Sequence, residues 1–172
     1  MICALPKGIA RNLLSLLVTI SLLSPSRAAA SWFVGFGKVD VTPVEPVRLS
    51  GYAARDKPHV GVADPLFARA MVLSASQETA ATEKIPRTVV LVSVDSIAVV
   101  GDMTKRISEK LASEYALSRS DLVVCSTHSH AAPHAASGLT NLYRTPLSPE
   151  ESLAIERNTA RIEQGILQAI SQ

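Results

Sequence analysis

Cysteine is almost missing from this 172-residue chain, which has only Cys3 and Cys125. Cys3 falls in an N-terminal stretch built like a removable export segment, so Cys125 is expected to be the sole mature thiol and no internal disulfide can form. The fold has to hold by packing. Clustered lysine and arginine are also absent, which excludes the usual electrostatic footprint of a nucleic-acid binder. Seventeen basic residues against fifteen acidic ones give a formal charge of +2. Lys7, Arg11 and Arg27 lie in the N-terminal stretch, and without them the balance is about −1. No run is long enough to anchor the chain as a spanning helix, since the apolar stretch at 13–23 has about 11 residues where roughly 20 are needed. There are no internal repeats and no low-complexity segments.

Residues 1–30 have the three parts of a secretory signal: a basic start at Lys7 and Arg11, the short apolar stretch, and the small residues of "SRAAA" before Ser31. Cleavage near Ala30 is expected, with the mature protein secreted or periplasmic. Residues 31–172 are enough for one domain with a buried core.

Hydrophobic periodicity predicts an α/β fold. "WFVGFGKVDVTP" at 32–43 reads as a first strand whose glycines serve either close backbone approach or a bend. "LFARAMVLSA" at 66–75 is a second strand, followed by a polar surface connection at 78–86. The β-branched run at 89–94 has the composition of a strand buried on both faces of a parallel sheet. A helix then opens at Gly101-Asp102, with Asp102 as its expected cap and Met103, Ile107, Leu111 and Tyr115 on one face. "DLVVCST" at 121–127 returns as a strand, completing a βαβ unit within a mixed or parallel sheet. Ser148 and Glu151 form a capping box around Pro149, opening a last helix with Ile155, Ile162, Ile166 and Ile170 on one face. An α/β sheet ordinarily continues with another strand after such a helix, so the chain is expected to be an incomplete N-terminal part of a larger catalytic domain.

In such sheets, sites form beyond the carboxyl ends of the strands. Asp95 ends one strand of the βαβ unit, and "STHSH" at 126–130 ends the other. His128 and His130 are two residues apart, so in an extended segment both rings point to one side, roughly 6.6 Å apart along the backbone. One cation could lie between them, or one ring could bind it while the other faces a substrate. Spacing alone leaves open a third arrangement, a polar loop with hydrogen-bonded histidines. Asp95 either orients a histidine or forms a turn. Cys125 is expected as a small buried hydrophobe, His59 and His134 as surface residues, and Gly51 as a turn former or a point of close backbone approach.

The order and spacing of "GFGKVDVTP", "LSGYA", "FARAMVL", "LVSVDS" and "STHSHAAP" across about residues 33–133 resemble the neutral, non-lysosomal ceramidases in their N-terminal catalytic domain. The resemblance implies an amidase that uses zinc and water to cleave ceramide, or a related lipid, to a sphingoid base and a fatty acid. It places His128 as a zinc ligand, His130 beside the substrate, Gly51 next to the reacting group and Asp95 in support. A lipid substrate further implies contact with a membrane surface. Ser129 replaces a threonine of the family's Thr-His-Thr-His-Ser-Gly-Pro segment, and Ala131-Ala132 replace its Ser-Gly. The family's remaining ligands, a second histidine, a glutamate and a tyrosine, come from beyond the length of this chain, so a missing C-terminal part is expected. The competing expectation is a noncatalytic secreted α/β module whose histidine loop binds metal weakly or not at all.

Overall fold

The computed structural model describes residues 31–52, 54–76, 87–133 and 135–172. The expected signal at 1–30, the polar connection at 78–86 and His134 lie outside the described residues. Four strands form one mixed sheet in sequence order: β1 Ser31–Asp40, β2 Phe67–Ser76, β3 Arg87–Val94 and β4 Leu122–Ser126. β1, β2 and β3 pair antiparallel, and β3 pairs β4 in parallel. The parallel pair needs a crossover, and helix α1, Gly101–Tyr115, supplies it.

Register fixes which side chains share a face. Val39, Ala68 and Val94 are neighbours across three strands, as are Gly37, Ala70 and Val92. Onto this face pack Met103, Ile107 and Leu111 of α1 together with Ile162, Ile166 and Ala169 of helix α2, Pro149–Ser171. Val90, Val92 and Val94 are buried there, while Val89 on the opposite side is 39% exposed. Among the described residues the β-branched run is therefore covered on one face only, since α1 and α2 lie on the same side of the sheet. The other face carries exposed Trp32, Val34, Phe36 and Val123. Cys125 sits on that open face and is exposed rather than buried, its Sγ 3.1 Å from the Val92 carbonyl.

Close approach accounts for Gly37. A Cβ built there would lie 1.8 Å from the carbonyl oxygen of Ala169, so only glycine lets α2 settle against β1. The capping box of α2 forms as the sequence indicates: the Glu151 N–H donates to Ser148 Oγ at 3.2 Å, and the Ser148 N–H donates to Glu151 Oε2 at 2.8 Å. The start of α1 differs from expectation. Val100 is its extended N-cap, with no side-chain cap, and Asp102 sits inside the first turn, where a carboxylate still favours the positive end of the helix dipole. Tyr115 also departs from the buried face, being 49% exposed at the last residue of α1.

Candidate functional site

The site is built from the loops after β3 and β4. Parallel pairing continues past both strand ends: the Thr127 N–H donates to the Val94 carbonyl at 3.0 Å and the Ser129 N–H to the Ser96 carbonyl at 3.1 Å. Ser96 Oγ is buried and donates to the Ala98 carbonyl at 3.0 Å, with the Pro133 carbonyl 3.3 Å away. These bonds hold residues 126–133 against residues 94–98, so the histidine loop has little freedom to move relative to the sheet.

His128 takes a left-handed backbone conformation, φ +57, which costs strain in a residue other than glycine and occurs preferentially at functional positions. Its Nδ1 lies 2.9 Å from the Ile97 carbonyl. A carbonyl can only accept, so the contact places a proton on Nδ1, the tautomer in which Nε2 is left to serve as a ligand atom. That nitrogen lies 3.4 Å from His130 Nε2, with the rings 5.1 Å apart and edge to face.

Two arrangements suit this separation. One is a hydrogen bond from a protonated His130 Nε2. The other is a shared cation, because a tetrahedral ion with Zn–N distances of about 2.0–2.1 Å separates its ligands by about 3.3–3.4 Å. The carbonyl behind His128 is also the usual outer partner of a metal-ligating imidazole. The donor chemistry therefore fits zinc, but among the described residues no group of three or more His, Cys, Asp or Glu side chains could enclose an ion. The described residues offer two of the about three protein ligands that a catalytic zinc takes.

Gly51 faces the histidines directly. With φ +101 it adopts a conformation disfavoured for other residues, and a Cβ there would lie 2.7 Å from Cγ and Nδ1 of His130 and 2.9 Å from Ile97 Cδ1. The positive φ and the closeness of the His130 ring both require glycine at this bend. Asp95 is different. Its Oδ2 accepts from the Phe67 N–H and from Arg69 Nη1, both at 2.9 Å, which ties the end of β3 to β2. Its support is to the strand ends and does not pass through either imidazole. His59 is half-buried, its Nδ1 3.1 Å from the Val47 N–H, and it lines a cleft that also borders Ser129 of the histidine loop.

Three residues were not legible as parts of the site. Tyr52 packs its ring edge against His130, centroids 5.1 Å apart. Arg55 lies 4.7 Å over the Tyr52 ring and donates from Nη1 to the His130 carbonyl. Behind them Arg48 is fully buried, bonding the Asp56 carbonyl at 3.0 Å, Thr145 Oγ1 at 3.1 Å and Glu151 at 3.2 Å. It anchors the glycine loop to the start of α2. The Tyr143 ring lies 5.1 Å from the same guanidinium, and burial pushes its phenol above the ordinary range. A tyrosine following a glycine was the one available signal; nothing in residue type marks Arg48 or Arg55.

On the other side of the histidine loop, Ser129, Ala131 and Pro133 border a cleft of about 390 Å³ walled by Leu49, Val62 and Leu66.

The family described as "Neutral/alkaline non-lysosomal ceramidase, N-terminal" has a sequence model that matches residues 32–172. Among solved structures the chain is similar to a ceramidase complexed with C2 and to the neutral ceramidase from Pseudomonas aeruginosa. Each superposes with a TM-score of 0.63 at 21% identity, over 83% of this chain and 21% of that chain. At that identity the likeness speaks to the fold, and the chain spans about a fifth of the length of these relatives. No curated protein matches it.

Proposed function

Because the chain belongs to the neutral/alkaline non-lysosomal ceramidase family, of which it carries the N-terminal part, we propose that it forms part of an exported, zinc-dependent amidohydrolase. The reaction is cleavage of the N-acyl amide of ceramide or a related lipid to a sphingoid base and a fatty acid. The observation that carries this reading is the His128–His130 pair: two Nε2 atoms 3.4 Å apart, with His128 Nδ1 turned to the Ile97 carbonyl so that its Nε2 faces His130.

In this reading His128 is the ligand and His130 turns to the substrate amide. Zinc, when bound, supplies Lewis acidity for activating water and polarising the amide carbonyl. His128 holds its proton on Nδ1 and offers Nε2 in a fixed direction. His130 positions the amide and can hold or release a proton at Nε2. Gly51, lacking a side chain, lets the His130 ring sit against the glycine loop, beside the expected position of the reacting group. The Leu49, Val62 and Leu66 wall of the cleft bordered by Ser129 suits part of an alkyl chain, with His59 and Asp64 at its polar side, and a substrate of this kind brings the protein to a membrane surface. The remaining ligands come from polypeptide beyond this chain.

The test is fatty-acid release from a fluorescent ceramide by the full-length polypeptide that carries this domain, before and after chelation. Turnover lost on chelation and restored by zinc is the expected result. A zinc-supplied full-length protein that releases no fatty acid would overturn the proposal in favour of a noncatalytic α/β module. The 172-residue chain alone, with an incomplete ligand set, is expected to fall well below ordinary enzymatic turnover of roughly 1–1000 per second.

A further inference from the structure

His130 is held at both of its ends by one side chain from a distant loop. Arg55, 75 positions earlier in the sequence, donates from Nη1 to the His130 carbonyl. The same guanidinium lies 4.7 Å over the Tyr52 ring, and that ring meets the His130 imidazole edge to face at 5.1 Å. The Arg55 N–H donates to the Tyr52 carbonyl at 3.0 Å, closing the turn that presents both side chains. The buried Arg48 holds the next carbonyl, that of Asp56, at 3.0 Å. Among the described residues no carboxylate pairs with Arg55. A half-buried cation without a carboxylate spends its interactions on a carbonyl and an aromatic face, and both of those lead to His130.

We propose that Arg55 is a positioning residue for His130, fixing its backbone through the carbonyl and its ring through Tyr52. The proposal rests on the reading that His130 faces the substrate. Gly51 lies close along the ring and allows little sideways room, so the clamp sets the remaining freedom: the depth and tilt of the imidazole. A displacement of about 1 Å in a reacting group can cost roughly 100-fold in rate, which is the scale on which such a clamp acts.

The experiment compares Arg55→Met, which keeps the apolar stem and removes every donor, with Arg55→Lys, which keeps the charge and one donor. Both are made in the full-length polypeptide. Arg55→Met is expected to lower kcat roughly 10- to 100-fold with KM and zinc content near the parent values, and Arg55→Lys to recover part of the loss. A second readout does not depend on activity: carbethoxylation of histidines by diethyl pyrocarbonate after chelation, mapped by peptide mass spectrometry. Arg55→Met should raise the labelling rate of His130 several-fold while leaving His59 at the parent rate, and Arg55→Lys should bring it back toward the parent. Unchanged His130 labelling, unchanged kcat in an active parent, or Arg55→Lys recovering neither quantity overturns the proposal. So does an equal rise at His59, which would mean that the loop has merely loosened. If the parent hydrolyses no amide, the functional reading fails, and the labelling arm still decides whether the clamp exists.

Discussion

Gly51→Ala puts a single methyl group against the site. The added Cβ would lie 2.7 Å from the His130 ring and 2.9 Å from Ile97 Cδ1. Ordinary carbon contacts begin near 3.5 Å, so the imidazole or the loop must yield by close to 1 Å. The backbone adds its own cost, because φ +101 suits glycine and strains alanine by on the order of 1–3 kcal/mol. The expected outcome is a stability loss of about that size and a fall in turnover of roughly 100-fold from displaced His130. Urea denaturation and ceramide hydrolysis of the full-length protein measure the two effects separately. Combining Gly51→Ala with Ile97→Val removes the Cδ1 clash and should restore part of the stability, yet not the rate, since the contact with His130 persists. Full turnover in Gly51→Ala would refute the geometric argument, because no relaxed position of His130 would then matter to the reaction.

Ile166→Ala removes a fully buried side chain between α2 and the sheet, and should cost about 2–5 kcal/mol in denaturant titrations; a smaller loss would mean that α2 does not pack as described. Glu151→Gln keeps an acceptor for the Ser148 N–H but leaves buried Arg48 without its charge partner. Losing one side of such a pair costs about 3–5 kcal/mol when it is wholly buried, and rather less here because the Glu151 side chain is 18% exposed; an unchanged denaturation midpoint would contradict the pairing. Hydrogen bonds from Thr42 hold the Asp40 carboxyl below its ordinary range, and those from Arg157 do the same for Glu45. A carboxyl depressed in the folded state stabilises it above the unfolded pKa of about 4, and that contribution disappears as pH falls through the lowered values. The denaturation midpoint should therefore decline modestly from neutrality toward pH of about 3, and a rise on acidification would reverse the sign of the account.

Strand and helix positions were legible where one local signal dominated. The β-branched run of β3 and the Ser148–Pro149–Glu151 start of α2 each admit one conformation, and both form. The helical repeat ending at Tyr115 continued one turn beyond the buried stripe, because periodicity marks a face and not where its partner stops. Val89 and Cys125 were misread for a related reason: apolar composition says that a strand can be buried, while which face is covered depends on both helices choosing the same side. At the site, strand-end placement put His128 and His130 on the right rim, but the extended segment expected from their spacing does not form: His128 is left-handed, φ +57, and the rings meet because the loop turns there, with centroids 5.1 Å apart. The Ile97 carbonyl was not legible, since any residue supplies a backbone acceptor. Asp95 was placed at the right rim, yet its carboxylate turns to Phe67 and Arg69, a choice set by strand pairing that no motif records. Arg48 and Arg55 reach their partners across 103 and 75 positions of sequence, a separation that only the folded chain closes.

The central claim is that His128 binds zinc while His130 acts on the substrate, and zinc content tests it most directly. Elemental analysis of the full-length protein, its His128→Ala variant and its His130→Ala variant, each measured alongside ceramide hydrolysis, separates the two roles. The account predicts that His128→Ala loses zinc and activity together, whereas His130→Ala retains most of the zinc and loses rate, as expected of an interaction made mainly in the transition state. Parent-level zinc in His128→Ala, or parent-level turnover in His130→Ala, would contradict it.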